Sequence, residues 1–229
     1  MGVADPGGTA ALRAALGPVV DEIVAGLDEA NRAREIALRE CRTVIRLCGS
    51  SIRSVHRQDD AAASATLAEA DAALRAAQTA LQPFPDLTHA GFLHDAEKEY
   101  VEACCTRVLV AGSSLVPGPA ELAVDGRSWL KGLAEAASEL RRHLLDRLRE
   151  GDLERAEHLT RSMEEVYDAL VVIDFPDALT LGLRRTLDAL RAVLERSRAD
   201  VTTTAVQHRL WTAIEGANLS GLPPGSAIL

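Results

Sequence analysis

At 229 residues and 24.4 kDa, with 47% apolar and 26% charged residues, the chain can bury a full core and has the composition of a soluble globular protein. It contains no 18-residue apolar run, which excludes an ordinary transmembrane helix. A formal charge of −9 excludes a protein that coats nucleic acid non-specifically, so any RNA site must be local.

Aromatic residues are only 3%, and the abundance of Ala, Leu, Arg and Glu favours helices. Of 25 basic residues only Lys98 and Lys131 are lysines, the other 23 being arginine. Cys41 and Cys48, and the adjacent pair Cys104 and Cys105, lack zinc-type or redox spacing and read as buried thiols in a reducing compartment. Met1 to Thr9 lacks the basic start and apolar centre of a signal peptide, so the expected location is the cytoplasm.

In chain order, residues 1–17 read as a flexible leader, with a short helical turn at Thr9 to Leu16. Gly17-Pro18 opens a long first helix to about Arg57, on which Ala37, Cys41, Val44, Cys48, Ser51 and Val55 keep a 3.6 period. Its other face carries Arg32, Arg39, Arg42, Arg46, Arg53 and Arg57 within an arc of about 80°. Such a stripe tracks a nucleic-acid backbone, pairs with acidic helices, or is a solvated face.

Asp59-Asp60 caps an alanine-rich second helix to about Leu81, ended by Pro83-Phe84-Pro85. A third helix spans about Thr88 to Ala111. A Gly/Ser/Pro connection, Gly112 to Pro119, leads through a turn to a fourth from Ser128 to Glu150. Gly151-Asp152 restarts a fifth helix to about Asp174, Phe175-Pro176-Asp177 breaks it, and the last runs from about Thr180 to Ile214. The expectation is an all-α bundle of six to seven antiparallel helices without a sheet, a domain over 18–215 and a mobile tail over 216–229.

Within the third helix, Asp95, Glu99 and Glu102 are spaced i, i+4, i+7 and fall in an arc of roughly 60°. Crowded carboxylates repel and lose hydration unless a cation or a proton compensates, so the stripe is either a divalent-metal site or a solvated helix start. On the fourth helix Glu135 and Glu139 lie one turn apart, with His143 continuing that face, opposite Leu133, Leu140, Leu144 and Leu148. The sequence has no phosphate-binding glycine loop, no Gly-x-Ser-x-Gly, and no Glu-x-x-His pair of the di-iron type. Carboxylates alone suit Mg²⁺ or Mn²⁺. His56, His89, His158 and His208 read as surface or cap positions.

Four segments carry a family likeness. They are Ala90-Gly91-Phe92 with Asp95 to Ala103; Trp129 to Glu135 with Ser138 to Arg142; Gly151-Asp152-Leu153; and Asp174 to Thr180 with Gly182 to Arg185. In order and spacing they resemble translin and its partner TRAX, closest to the single-chain archaeal and bacterial members, over about Ala30 to Thr204. The resemblance implies a bundle of about seven helices, a hollow homo-octamer, and single-stranded RNA, or single-stranded DNA, bound inside.

TRAX-like members are metal-dependent endoribonucleases, and their acidic residues match Glu99, Glu102, position 135 and Glu139 here. Position 135 departs, being Glu where catalytic members usually have Asp. By resemblance, Glu99, Glu102, Glu135 and Glu139 would hold Mg²⁺ or Mn²⁺ and form the catalytic set. Arg39, Arg42, Arg46 and Arg53, with Arg184 and Arg185, would hold the strand. The alternatives are a translin-like RNA-binding scaffold that no longer cleaves, and a PhoU-like metal-binding helical regulator.

Overall fold

The computed structural model describes residues 6–220, with side chains from 11 to 216, and no strand occurs among them. Eight helices follow one another: α1 (Pro6–His56), α2 (Asp60–Leu81), α3 (Pro85–Thr88), α4 (Phe92–Ala111), α5 (Gly126–Arg149), α6 (Leu153–Val171), α7 (Asp177–Thr180) and α8 (Leu183–Ser220). The all-α expectation holds, with six long helices and two single turns where Pro85 and Pro176 break the chain. No helix among the described residues is long and apolar enough to cross a membrane.

The first helix is longer than the sequence suggests, because it runs through Pro18 without a break. A proline inside a helix orphans the carbonyl four residues earlier. Here nearly all of Ala11 to Glu29 is exposed, so water can satisfy that carbonyl. Residues 6–17 of the expected leader and 216–220 of the expected tail are therefore helical, while 1–5 and 221–229 lie outside the described residues.

Burial on α1 begins at Ala33 and continues through Ala37, Cys41, Val44, Cys48, Ile52 and Val55, the face that the 3.6 period marks. This face packs on α2 and α4; α4 then packs on α5, and α5 on α6 and α8, around one continuous core. All four cysteines are free thiols, three of them buried. Burial, followed by the Glu97 charge, pushes Cys41 up to about 11.

Among consecutive long helices, one pair departs from the antiparallel expectation. His94 of α4 meets Ser128 of α5 at 3.1 Å, and Lys98 of α4 meets Glu135 of α5, so residue numbers rise together along the two helices and they run parallel. The 112–125 connection makes this possible by returning the chain along the bundle. Trp129 Nε1 donates to Pro117 O at 2.8 Å, and Arg75 donates to the carbonyls of Leu122 and Ala123 at 2.5 and 2.8 Å. Buried Glu97 accepts from Gln78 Nε2 at 2.9 Å and from the Asp125 amide at 3.2 Å, tying α2, α4 and the start of α5 together.

Candidate metal centre

The close approach of α4 and α5 is set by Gly132. A Cβ at that position would stand 2.6 Å from the Lys98 carbonyl oxygen and 2.7 Å from Val101 Cβ, so only glycine lets the two backbones come this near. One turn further along α5, Glu135 is thereby brought against the carboxylates of α4.

Glu99, Glu102 and Glu135 each offer an oxygen, and the three atoms lie within 4.8 Å of one another. Burial, then repulsion from Glu99 and Glu135, pushes Glu102 up to about 8. Lys98 Nζ donates to Glu99 Oε1 at 3.0 Å and to Glu135 Oε2. Burial alone would lower this ammonium, but its hydrogen bonds to Glu135 and Glu99, and their charges, outweigh burial and hold it raised. The group is thus an all-oxygen donor set with one incompletely compensated carboxyl, which fits a hard divalent cation such as Mg²⁺ or Mn²⁺.

Glu139 stands outside this group. Its Oε1 lies 2.6 Å from Nε2 of His56, whose side chain is only 3% exposed, although its charge still contributes to raising Glu102. The reading of His56 as a surface or cap residue is therefore wrong: the ring is enclosed and reaches across from α1 to α5. No signal in the sequence points to this, because the partners are 83 positions apart. His143, on the Glu139 face by spacing, is buried as well, and burial lowers its pKa. Asp95, the first member of the acidic stripe, lines a neighbouring cavity and is not one of the three converging carboxylates.

Arg39, Arg42, Arg46 and Arg53 are all exposed along α1, and among the described residues only Arg39 has an ion pair, with Glu40 at 3.2 Å. Arg184 and Arg185 are exposed at the start of α8, where Arg184 lines a separate open groove with Tyr167, Phe175 and Arg191. Since α1 packs on α2 and α4 and α8 packs on α5 and α6, the two sets of arginines stand on different parts of one subunit.

No protein-family model matches the chain. An uncharacterised protein of Methanocaldococcus jannaschii is 28% identical over 172 residues, which are 74% of this chain and 75% of that protein. Among solved structures, AfC3PO superposes with a TM-score of 0.75 at 31% identity, covering 82% of this chain and 97% of its own. The structure of AfC3PO with duplex RNA gives a TM-score of 0.76 at the same identity and coverage. Apo-NeC3PO, at 21% identity and a TM-score of 0.74, shares the fold. With that likeness over most of its length, and with the motif residues on the helices described, the chain belongs to the translin-like, C3PO-type family.

Proposed function

We propose that the protein is an RNA-binding, Mg²⁺- or Mn²⁺-dependent endoribonuclease of the translin/TRAX type, acting in the cytoplasm as a hollow homo-oligomer, an octamer. The observation that carries this reading is the convergence of Glu99, Glu102 and Glu135 on one point between two parallel helices. Those three carboxylates would hold the ion, with Glu139 beside them. When bound, a divalent ion lowers the pKa of water and neutralises charge developing on a scissile phosphate.

The protein's own groups supply the rest. Arg39, Arg42, Arg46 and Arg53 form an exposed cationic stripe suited to a phosphate backbone, and Arg184 and Arg185 a second patch. AfC3PO has been solved with duplex RNA, which supports RNA as the ligand class here. Whether this chain prefers single strands is read by offering both forms. Self-association is supported by apolar side chains that the subunit leaves uncovered: Leu12, Leu16, Val19, Ile23 and Leu27 along α1, and Val206, Leu210, Trp211 and Ile214 near the end of α8.

One observation favours the non-catalytic scaffold as a second reading: Lys98 already neutralises part of the Glu99 and Glu135 charge. The family assignment leaves no place for a PhoU-like regulator. The deciding experiment follows labelled single-stranded and duplex RNA in Mg²⁺ and in EDTA, for the parent and for Glu99→Ala/Glu102→Ala. The expected result is cleavage by the parent in Mg²⁺ alone and none by the variant, with RNA binding in EDTA equal or tighter in the variant, because opposing carboxylate charge is removed. A parent that binds but never cleaves selects the scaffold.

A further inference from the structure

Between the first turns of α4 and α5, next to the carboxylates, lies a cavity of about 240 Å³ whose walls include His89, His94, Asp95, Lys98, Arg127 and Lys131. We propose that this cavity is a phosphoryl subsite, which takes a phosphate group of a nucleic-acid strand lying across the carboxylate centre. The proposal rests on the RNA reading above and adds where the strand is gripped.

Charge is the first argument. Lys98, Arg127 and Lys131 line the cavity with Asp95; Lys98 is paired with Glu99 and Glu135 and Arg127 with Asp125, which leaves Lys131 as the cation without a counter-charge. In a chain with 23 arginines both of the only two lysines, Lys98 and Lys131, are on these walls. A lysine ammonium is a compact charge with three rotatable donors, which suits a phosphoryl group approached from several sides.

Donor accounting is the second. Lys131 is half-buried, and among the described residues it has no ion pair or hydrogen bond. Arg127 spends Nε and Nη2 on Asp125, at 2.8 and 3.0 Å, leaving Nη1 over. His94 Nδ1 is held by Ser128 Oγ at 3.1 Å with Glu97 Oε2 at 3.8 Å behind it, and the His89 ring has no partner among the described residues. Lys131 Nζ and Arg127 Nη1 are thus donors with no acceptor among the described residues, and an anion in the cavity would give them one. Lys98 lines the cavity while its ammonium binds Glu99 and Glu135, so an anion held here sits directly beside the carboxylate group.

The two lysines also make the test direct. Protein labelled with ¹³C-lysine has two lysine environments, and they can be followed in EDTA at constant ionic strength while inorganic phosphate, or a short RNA oligonucleotide, is added against a chloride control. Both lysine signals are expected to shift and saturate with phosphate and with RNA but not with chloride. Comparing 5′-phosphorylated with 5′-hydroxyl RNA separates the two sources of the group. Tighter binding of the former marks a strand end, and equal binding an internal phosphodiester.

Lys131→Gln should weaken phosphate binding about tenfold, the scale of one charge-assisted hydrogen bond, while Lys131→Arg keeps it. Lysine signals that do not move, or that follow chloride equally, overturn the subsite, and so does a Lys131→Gln protein that binds like the parent. Because the readout needs neither Mg²⁺ nor cleavage, such a failure leaves the carboxylate reading intact. Conversely, loss of the nuclease reading would not move the Lys131 signal.

Discussion

His56, the last residue of α1, meets Glu139 of α5 with 2.6 Å between Nε2 and Oε1, and its other ring nitrogen is buried without a partner. This contact joins the end of the arginine-bearing helix to the helix that supplies Glu135. It also holds Glu139 apart from the three converging carboxylates. His56→Ala should destabilise the subunit by about 2 kcal/mol, since a buried hydrogen bond to a carboxylate is lost and a small cavity is left. Mn²⁺ binding, read by paramagnetic resonance, should persist in that variant, because Glu99, Glu102 and Glu135 are untouched. Loss of Mn²⁺ binding in a folded variant would place His56 and Glu139 inside the metal centre.

Glu102 predicts how apo stability depends on pH. Its folded pKa, raised by burial and then by Glu99 and Glu135 to about 8, exceeds the ordinary value of 4.5. The folded state therefore binds the proton more tightly than the unfolded state does. The stability from that proton is full below pH 4.5 and is lost as pH rises through 8. In EDTA, thermal melts should show the Glu102→Gln protein gaining on the parent as pH rises across this window. Mg²⁺ should raise the parent's melting temperature more at pH 8.5 than at pH 6, because binding must displace the proton. Equal gains at both pH values would mean that Glu102 is not a ligand.

Gly132→Ala tests the helix crossing. The added methyl would meet the Lys98 carbonyl oxygen and Val101 within 2.8 Å, so α5 must move away from α4. The expected cost is about 1–3 kcal/mol, read as a lower melting temperature. Weaker Mn²⁺ binding should accompany it, since Glu135 moves with α5 while Glu99 and Glu102 stay. An alanine variant with unchanged stability would show that the approach is looser than the geometry states.

The exposed apolar stripe of α1 predicts its own variant. Leu16→Asp/Ile23→Asp places two charges on a face that contributes nothing to the subunit core, so helicity and melting of the subunit should persist. Light scattering should report a smaller assembly than the parent's. An unchanged mass would assign the contacts between subunits to other surfaces, such as the uncovered end of α8 around Trp211.

Much of the fold is legible in the sequence because helices are written locally. The 3.6 period along α1, the Asp59 cap of α2 and the proline breaks at Pro85 and Pro176 each depend on neighbours a few positions away. The same holds for Glu99 and Glu102, whose shared face follows from their separation, and for Glu135 and Glu139 as one turn of the next long helix.

What the local pattern cannot hold is which face of one helix meets which face of another. That α4 and α5 run parallel depends on a connection pinned by Arg75 and Trp129, and their close approach depends on the absence of one Cβ at Gly132. Only that crossing makes Glu135 rather than Glu139 the partner of Glu99 and Glu102, sets Lys98 among them, and puts both lysines on one cavity. His56 is the plainest case: a histidine at the end of a helix reads as solvated, and only the packing of both α1 and α5 on α4 encloses it beside Glu139. Burial and long-range charge pairing are properties of the packed chain, and no spacing along α1 or α5 encodes them.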